Sequence, residues 1–270
     1  LKNSINPVIK TVALLTDFGT TDHFAGVVKA KILKELYTEP EYQNIVVNFI
    51  DITHEIPPQD VKKAALELKF AYPHFPEGTL FLCVVDPGVG TERKVLVFET
   101  EKYTFVSPDN GLLTLVLKNE KGVLWEIEKE KFFRPPFSST FHARDLFAPL
   151  VAYLLKEKPL EGKAKKVSPE KAVLLHFPEP KPLKDGFLLS VWYVDRFGNL
   201  FTNFSEELAE REFEVFVNEE PVPLVKSYAY GKEGDVIALF GSEGLLEVAI
   251  KNGSAYEKLG IPEIKIKWKK

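Results

Sequence analysis

Apolar and polar positions along the first half of the chain follow two alternating periods. Residues 12–15 form a short apolar run that gives way to Thr16-Asp17-Phe18-Gly19-Thr20-Thr21-Asp22. Phe24, Val27, Val28 and Ile32 then recur at helical spacing and share one face. Residues 45–50 read as a buried strand and residues 51–58 as a loop. Val61, Ala64, Ala65 and Leu68 mark a second helix, and residues 79–85 a second apolar strand. This strand–helix–strand rhythm predicts an α/β fold, a largely parallel sheet with helices on both faces. Ligands bind such sheets at the carboxyl ends of the strands. The polar segments after Leu15, Ile50 and Val85 are therefore expected on one rim.

Residues 94–98 and 103–106 read as a further strand pair, followed by a turn at Ser107-Pro108-Asp109-Asn110-Gly111. Residues 142–155 read as a helix that Pro149 should kink. From Lys156 to about Asp185 the chain is rich in Lys, Pro and Glu, and the domain boundary is placed there. Residues 1–180 then form an α/β domain with its linker, and residues 181–270 a second domain. In that second part, residues 186–194, 213–217, 235–240 and 245–250 are short strand candidates split by turns, with no strong helix between them. The pattern predicts a small all-β domain, a barrel or a sandwich.

Composition narrows the picture further. The chain has 270 residues, 45% of them hydrophobic, enough for two moderate cores. Its net charge of -4 carries no basic excess of the kind that binds nucleic acid. The Lys-rich residues 156–166 and 265–270 read as a solvated linker and a charged tail. The one cysteine, Cys83, lies within an apolar run, so it reads as a small core residue and no disulfide can form within the chain. No apolar stretch approaches the ~20 residues of a membrane span. Residues 1–10 lack the apolar centre of a signal peptide. A cytoplasmic protein with no membrane partner is expected.

Four clusters carry candidate chemistry. Asp17, at a strand end, has the carboxylate that accepts from both hydroxyls of a ribose, while Thr21 or Asp22 suits capping of the next helix. Asp86-Pro87-Gly88-Val89-Gly90-Thr91-Glu92-Arg93 is a tight glycine loop that lacks the third glycine of a dinucleotide fingerprint. Its Asp86 and Arg93 are either a structural ion pair or part of a site. His142 stands at a helix start beside Arg144 and Asp145, and is either structural or catalytic. Asp195-Arg196-Phe197-Gly198-Asn199 has good turn chemistry and alone says little. Asp51 and His54 hint at a metal, but zinc-ligand spacing is missing, as is a Gly-x-Ser-x-Gly element.

In their order and spacing these clusters resemble the family of S-adenosylmethionine hydroxide adenosyltransferases, relatives of the fluorinase and chlorinase enzymes. The likeness runs from about Val12 to Gly260. It rests on Leu15-Thr16-Asp17-Phe18-Gly19, Val85-Asp86-Pro87-Gly88-Val89-Gly90, Ser107-Pro108-Asp109-Asn110-Gly111, Phe141-His142-Ala143-Arg144-Asp145 and Asp195-Arg196-Phe197-Gly198-Asn199. The resemblance implies a Rossmann-like N-terminal domain and a smaller C-terminal β-barrel. It further implies a homotrimer whose sites lie between the N-domain of one subunit and the C-domain of its neighbour. S-adenosylmethionine would be the substrate, adenosine and L-methionine the products, with no cofactor and no metal.

By motif matching, the resemblance places Asp17 on the ribose diol, Asp195 on the substrate ammonium, and Phe197 and Asn199 on adenine. Ser242 falls near the methionine carboxylate, the backbone at Asn252-Gly253 near the adenine edge, and Glu247 follows on the same strand. The hydrolytic triad falls on Asp86, Arg93 and His142, with Arg93 orienting Asp86. Which of Asp86 and His142 takes a proton from water stays open at this point. Halogenating relatives replace the acidic position of Asp86 and lack the histidine. Fluorinases carry an extra loop where a short turn at residues 99–102 stands here. These departures favour water over halide, although Glu243 stands where halogenating relatives place an arginine. The rival expectations are a halogenase forming 5′-halo-5′-deoxyadenosine and a non-catalytic binder of adenosine or S-adenosylmethionine. A binder has no use for Asp86, Arg93 and His142 together.

Overall fold

A computed structural model of the chain describes residues 6–133 and 137–269. It divides into two compact units, Leu1–Leu175 and His176–Lys270. The first holds β1 (Val8–Thr16), α1 (Phe24–Leu36), β2 (Ile45–Thr53), α2 (Val61–Ala71), β3 (Leu80–Val84), β4 (Val95–Thr100), β5 (Thr104–Pro108), α3 (Thr114–Asn119), β6 (Gly122–Ile127), α4 (Lys129–Phe132), α5 (Ala148–Leu155) and β7 (Ala164–Val167). Its strands form one sheet in the order β2-β1-β3-β5-β4-β6-β7. The first four are mutually parallel, while β4, β6 and β7 add on through antiparallel pairings. The turn between β4 and β5, closed by Thr100 N–H to Tyr103 O at 2.9 Å, is too short for a crossover, so that pair must be antiparallel.

Strand alternation sorts side chains to two cores. Val12 and Leu14 of β1, with Leu80, Leu82 and Val84 of β3, face α1 and α5. Ala13 and Leu15, with Phe81 and Cys83, face α2 and α3 on the other side. Helices thus cover both faces, as the sequence rhythm predicts. Cys83 is fully buried there, and burial drives its thiol pKa up. Between β1 and β2 the register slips: Leu14 pairs with Asp51 but Leu15 with Thr53. This bulge lies at the carboxyl end of both strands, beside the rim.

Several sequence expectations are corrected. Neither Thr21 nor Asp22 caps α1: its N-cap is His23 and makes no side-chain capping bond, whereas Asp60 caps α2 by accepting from Lys63 N–H at 2.8 Å. Pro149 stands within a helical run over residues 142–155, at the second position of α5. The chain enters that helix through a π-helical turn at Ala143–Phe147. The Lys-rich stretch from 156 is no free linker. Lys156 donates to Glu35 O at 2.9 Å and Glu39 Oε1 at 2.7 Å, lies over the Tyr42 ring, and β7 follows it.

The second unit holds β8 (Lys181–Leu183), β9 (Gly186–Leu189), β10 (Val191–Val194), β11 (Leu200–Ser205), β12 (Phe213–Val217), β13 (Glu220–Val222), β14 (Val236–Phe240), β15 (Leu245–Ile250), α6 (Ala255–Leu259) and β16 (Ile264–Trp268). Two antiparallel sheets, β10-β11-β15-β14 and β13-β12-β16-β9-β8, share a core that includes Leu200, Phe204, Val215, Leu246, Val248 and Ile266. The expected charged tail is instead β16, paired on both sides. Ile264 and Ile266 point inward while Lys265 and Lys267 alternate outward, a period-two pattern hidden by the lysine count.

The turn before α3 illustrates how tightly the first unit is stitched. Asn110 Nδ2 donates to Val85 O at 2.7 Å, and Gly111 has φ +95°. A Cβ there would stand 2.5 Å from Leu175 Cγ. Gly111→Ala is expected to cost about 2–4 kcal/mol, combining left-handed strain with overpacking. Urea unfolding of the variant checks this, and an unchanged midpoint contradicts it.

Candidate active site

The rim of the first unit is built where β1, β2 and β3 end. Thr16 closes β1, and Asp17 follows it. Gln59, from the loop before α2, donates its backbone N–H to Asp17 Oδ2 at 2.8 Å. It does so with φ +69°, a left-handed conformation unusual for glutamine. One carboxylate oxygen is thereby held in place, and among the described residues no hydrogen bond to Oδ1 is seen. Gly19 N–H donates to His54 O at 2.7 Å, tying the Asp17 loop to the end of β2. The loops after β1, β2 and β3 do share one rim.

Asp86 opens the loop after β3. Arg93, seven residues on, donates Nε–H to both Asp86 oxygens at 2.8 Å, and its Nη2 also bonds Oδ2. Both side chains are nearly buried, and the guanidinium lies 5.3 Å from the centre of the Phe147 ring. The same Nη2 lies 3.0 Å from His142 Nδ1. A guanidinium only donates, so Nδ1 is the acceptor and the imidazole proton resides on Nε2. Burial, then the charges of Arg93 and Lys129, holds the His142 pKa below its usual range. Gly90 lets this loop lie against residue 139: with φ +81°, a Cβ there would stand 2.4 Å from Ser139 O. Arg144 and Asp145 pair with each other, and Asp145 Oδ2 accepts Ser138 N–H at 2.8 Å, which fixes the segment leading to His142.

Asp17, Gln59, Asp86 and His142 line one cavity of about 230 Å³, with Arg93 behind Asp86. Among the described residues no group of three or more His, Cys, Asp or Glu side chains converges as a metal would require. Asp51 and His54 therefore form no such centre.

The second unit has its own cavity, of about 1060 Å³. Asp195, Phe197, Asn199, Ser242, Glu247 and Gly253 all line it. Asp195 organises the turn: Oδ1 accepts from Phe197 N–H at 2.9 Å and Asn199 N–H at 2.8 Å, and Oδ2 accepts from Asn199 Nδ2 at 2.9 Å. Asn199 therefore keeps its side-chain oxygen and its second Nδ2–H for a ligand. Phe197 is pushed outward and is 76% exposed, a large apolar ring at a cavity edge. Glu247, on β15, is buried, with Oε2 accepting from Tyr228 Oη at 2.5 Å. Burial raises the pKa of both groups. A Cβ at Gly241 would overlap Glu247 Oε1, so only glycine admits this carboxylate. Ser242 Oγ donates to Glu243 Oε1 at 3.1 Å, and the cations on this cavity are Lys226 and Lys251.

Sequence reasoning missed Gln59, Tyr228 and Lys226. Gln59 gives no signal, since its positive φ is of a kind written with Gly or Asn elsewhere. Tyr228 sits in a short 3-10 turn in an irregular stretch and becomes polar-facing only through Glu247.

Comparison with known proteins agrees with this division. Residues 12–163 match the SAM hydroxide adenosyltransferase N-terminal domain, and residues 189–265 the C-terminal domain. An (R)-S-adenosyl-L-methionine hydrolase from Thermus thermophilus is 38% identical over 263 residues, covering 94% of this chain and 97% of that one. A crystal structure of an uncharacterised conserved protein from Thermotoga maritima superposes with TM-score 0.81 at 33% identity, covering 94% and 99% of the two chains. A fluorinase from an Actinoplanes species is more distant, 26% identical over 282 residues and covering 90% of this chain and 91% of its own. Both domain matches fall in order on one chain, and together they span most of it: the chain belongs to the SAM hydroxide adenosyltransferase family.

Proposed function

We propose that this enzyme hydrolyses S-adenosyl-L-methionine to adenosine and L-methionine, by attack of water at the ribose C5′ in line with the departing sulfur. The observation that carries the reading is the bonded cluster of Asp86, Arg93 and His142 opening on the cavity that Asp17 also lines. The sulfonium leaves as a neutral thioether and needs no proton, so the chemistry falls on the nucleophile. Water must be deprotonated as it attacks, and Asp86 is the acceptor. His142 Nδ1 is already occupied by Arg93, which leaves Nε2–H as a donor that orients the water oxygen. The C5′–S electron pair goes to sulfur, the water oxygen becomes the 5′-hydroxyl, and its proton goes to Asp86. Holding nucleophile, carbon and sulfur in line supplies much of the rate, up to ~7–11 kcal/mol in well-oriented systems.

The two cavities divide the remaining work. The cavity at Asp17 and Asp86 measures about 230 Å³, below the ~300–1,000 Å³ of sites that enclose a small molecule. The larger cavity of the second unit has an exposed aromatic ring and polar groups but neither Asp86 nor His142. Our reading is that the Rossmann-like unit of one subunit and the barrel unit of a neighbour close on one substrate in a homotrimer. Asp17 takes the ribose diol, Phe197 and Asn199 adenine with the Gly253 backbone at its edge, Asp195 the ammonium, and Ser242 and Glu247 the amino-acid end. A halogenase is disfavoured because a carboxylate at Asp86 repels halide.

Four outcomes follow. Turnover in oxygen-18 water, with chelator present, should place the label at the 5′-hydroxyl of adenosine. Asp86→Ala and His142→Ala should each slow it ~10²–10⁴-fold, with the double variant far from additive and adenosine binding largely kept. Unlabelled adenosine, a halogenated product in chloride, or single variants with normal rates each overturn the mechanism. As to pH, a lowered His142 pKa means the neutral ring persists as pH falls below the ordinary ~6.5. Protonating Nδ1 would set one donor against another at Arg93, so kcat/KM should fall only below pH ~6.5. An acidic limb at or above that value refutes the neutral imidazole. Sedimentation should show an active oligomer, and a fully active monomer would sink the shared site.

A further inference from the structure

His54 is a buried histidine that the proposed chemistry does not use. Its Nδ1 lies 2.7 Å from Thr16 Oγ1. Its Nε2 lies 3.0 Å from Asp51 Oδ1, in ion-pair range though off the line of a good hydrogen bond. Asp51 is anchored in turn by Lys29 of α1, whose Nζ donates to Oδ2 at 2.6 Å. Burial pushes the Asp51 pKa up, but Lys29 and His54 outweigh it and hold it below its ordinary range. Thr16 Oγ1 also accepts from Phe18 N–H at 3.2 Å. All donors then run in one sense: Phe18 N–H to Thr16 oxygen, Thr16 O–H to His54 Nδ1, and His54 Nε2–H towards Asp51.

The sequence Thr–His–Asp has the form of a nucleophile with its base, yet Thr16 is 1% exposed and no substrate can reach it. What the chain of bonds does enclose is Asp17. Thr16 precedes it, Phe18 follows it, and Gly19 N–H is bonded to His54 O at 2.7 Å. Ile56 N–H to Thr16 O, at 3.4 Å, closes the other side. The bulge at Leu14 and Leu15 shifts the end of β2 by one residue against β1; Asp51 and Thr53 flank the inserted Ile52, and His54 follows Thr53. A hydroxyl free to rotate would leave Phe18 N–H without a fixed acceptor. His54 removes that freedom.

We infer that Asp51, His54 and Thr16 are positioning residues that set the backbone of Asp17, and with it affinity for the ribose of the substrate; this rests on the reading of Asp17 given above. The three act through Asp17 and touch neither substrate nor nucleophile. Asp86 and His142 belong to other loops, so the effect falls on binding and not on the chemical step.

The test is calorimetry with adenosine, together with steady-state kinetics on S-adenosylmethionine, for six variants of the full chain. Thr16→Val keeps the shape and removes the hydroxyl. Its adenosine Kd should rise ~3–10-fold, about the worth of one hydrogen bond, and KM should follow while kcat changes little. Thr16→Ser should restore both. His54→Leu should weaken binding to the same degree, whereas His54→Asn, whose side-chain oxygen replaces Nδ1 as acceptor, should bind nearly as the wild type does. The Thr16→Val/His54→Leu double variant should be no worse than either alone, because both cut one chain. Should Thr16→Val fail to fold, the His54 pair carries the test. The inference is overturned if His54→Leu binds adenosine normally, if His54→Asn is as weak as His54→Leu, or if the loss appears in kcat instead. Asp17→Ala separates the levels. If it leaves adenosine binding unchanged, the reading of the site itself fails; if it abolishes binding while His54→Leu does not, only this inference does.

Discussion

A guanidinium carries five N–H donors in a rigid plane and no acceptor, and the rim of the first unit is organised around that asymmetry at Arg93. Two of its nitrogens engage Asp86, and one of these also reaches His142 Nδ1. That single group determines the direction of the carboxylate, the tautomer of the imidazole and the spacing between them. A lysine could match the charge but not the fork. The cluster also tolerates burial, since a cation, an anion and a neutral ring sum to no net charge. Phe147 covers the guanidinium face and shields it from solvent.

Everything that brings those three groups together is scaffold. Asp86 and Arg93 come from one loop, whose turn needs Gly90 to lie against residue 139. His142 comes from a segment 49 residues further on, aimed by a π-helical turn and by the Asp145 bond to Ser138. Asp17 arrives from the end of β1, framed by backbone donors and by the buried His54 contacts. The sheet supplies a common level for these loops because its first four strands are parallel and end on one side. The cavity of the second unit is of another kind: an aspartate held by its own turn, an outward phenyl ring and a buried acid paired with a tyrosine. Such a surface suits recognition and orientation under the proposed function, whereas the first offers the titratable groups.

Much of this was legible along the chain, and the failures are physically instructive. The apolar runs of β1, β2 and β3 and the faces of α1 and α2 were readable because burial imposes a period on any strand or helix. Asp17, Asp86 and Asp195 stood out as acidic residues in glycine-bearing loops at strand ends, and His142 as a titratable residue at a helix start. β16 was misread as a tail because its lysines dominate a count, while the alternation with Ile264 and Ile266 is what the sheet responds to. The helix over residues 142–155 was legible in spite of Pro149, whereas the π-helical turn just before the proline was not, because the missing N–H does not state how the preceding turn adjusts. Gln59 was invisible because its role is played by a backbone N–H in a conformation its side chain disfavours.

By itself the sequence determined where the strongly periodic strands and helices lie, which loops share the rim, and which residues are chemically able to act there, since those properties follow from local period and side-chain type. Only the tertiary structure decided that Arg93 meets both Asp86 and His142, that the imidazole proton is on Nε2, and that His54 lies between Thr16 and Asp51. Those outcomes depend on distances of about 3 Å between residues far apart in the chain, and such distances are fixed by the packing of the sheet and its loops, which no local pattern encodes.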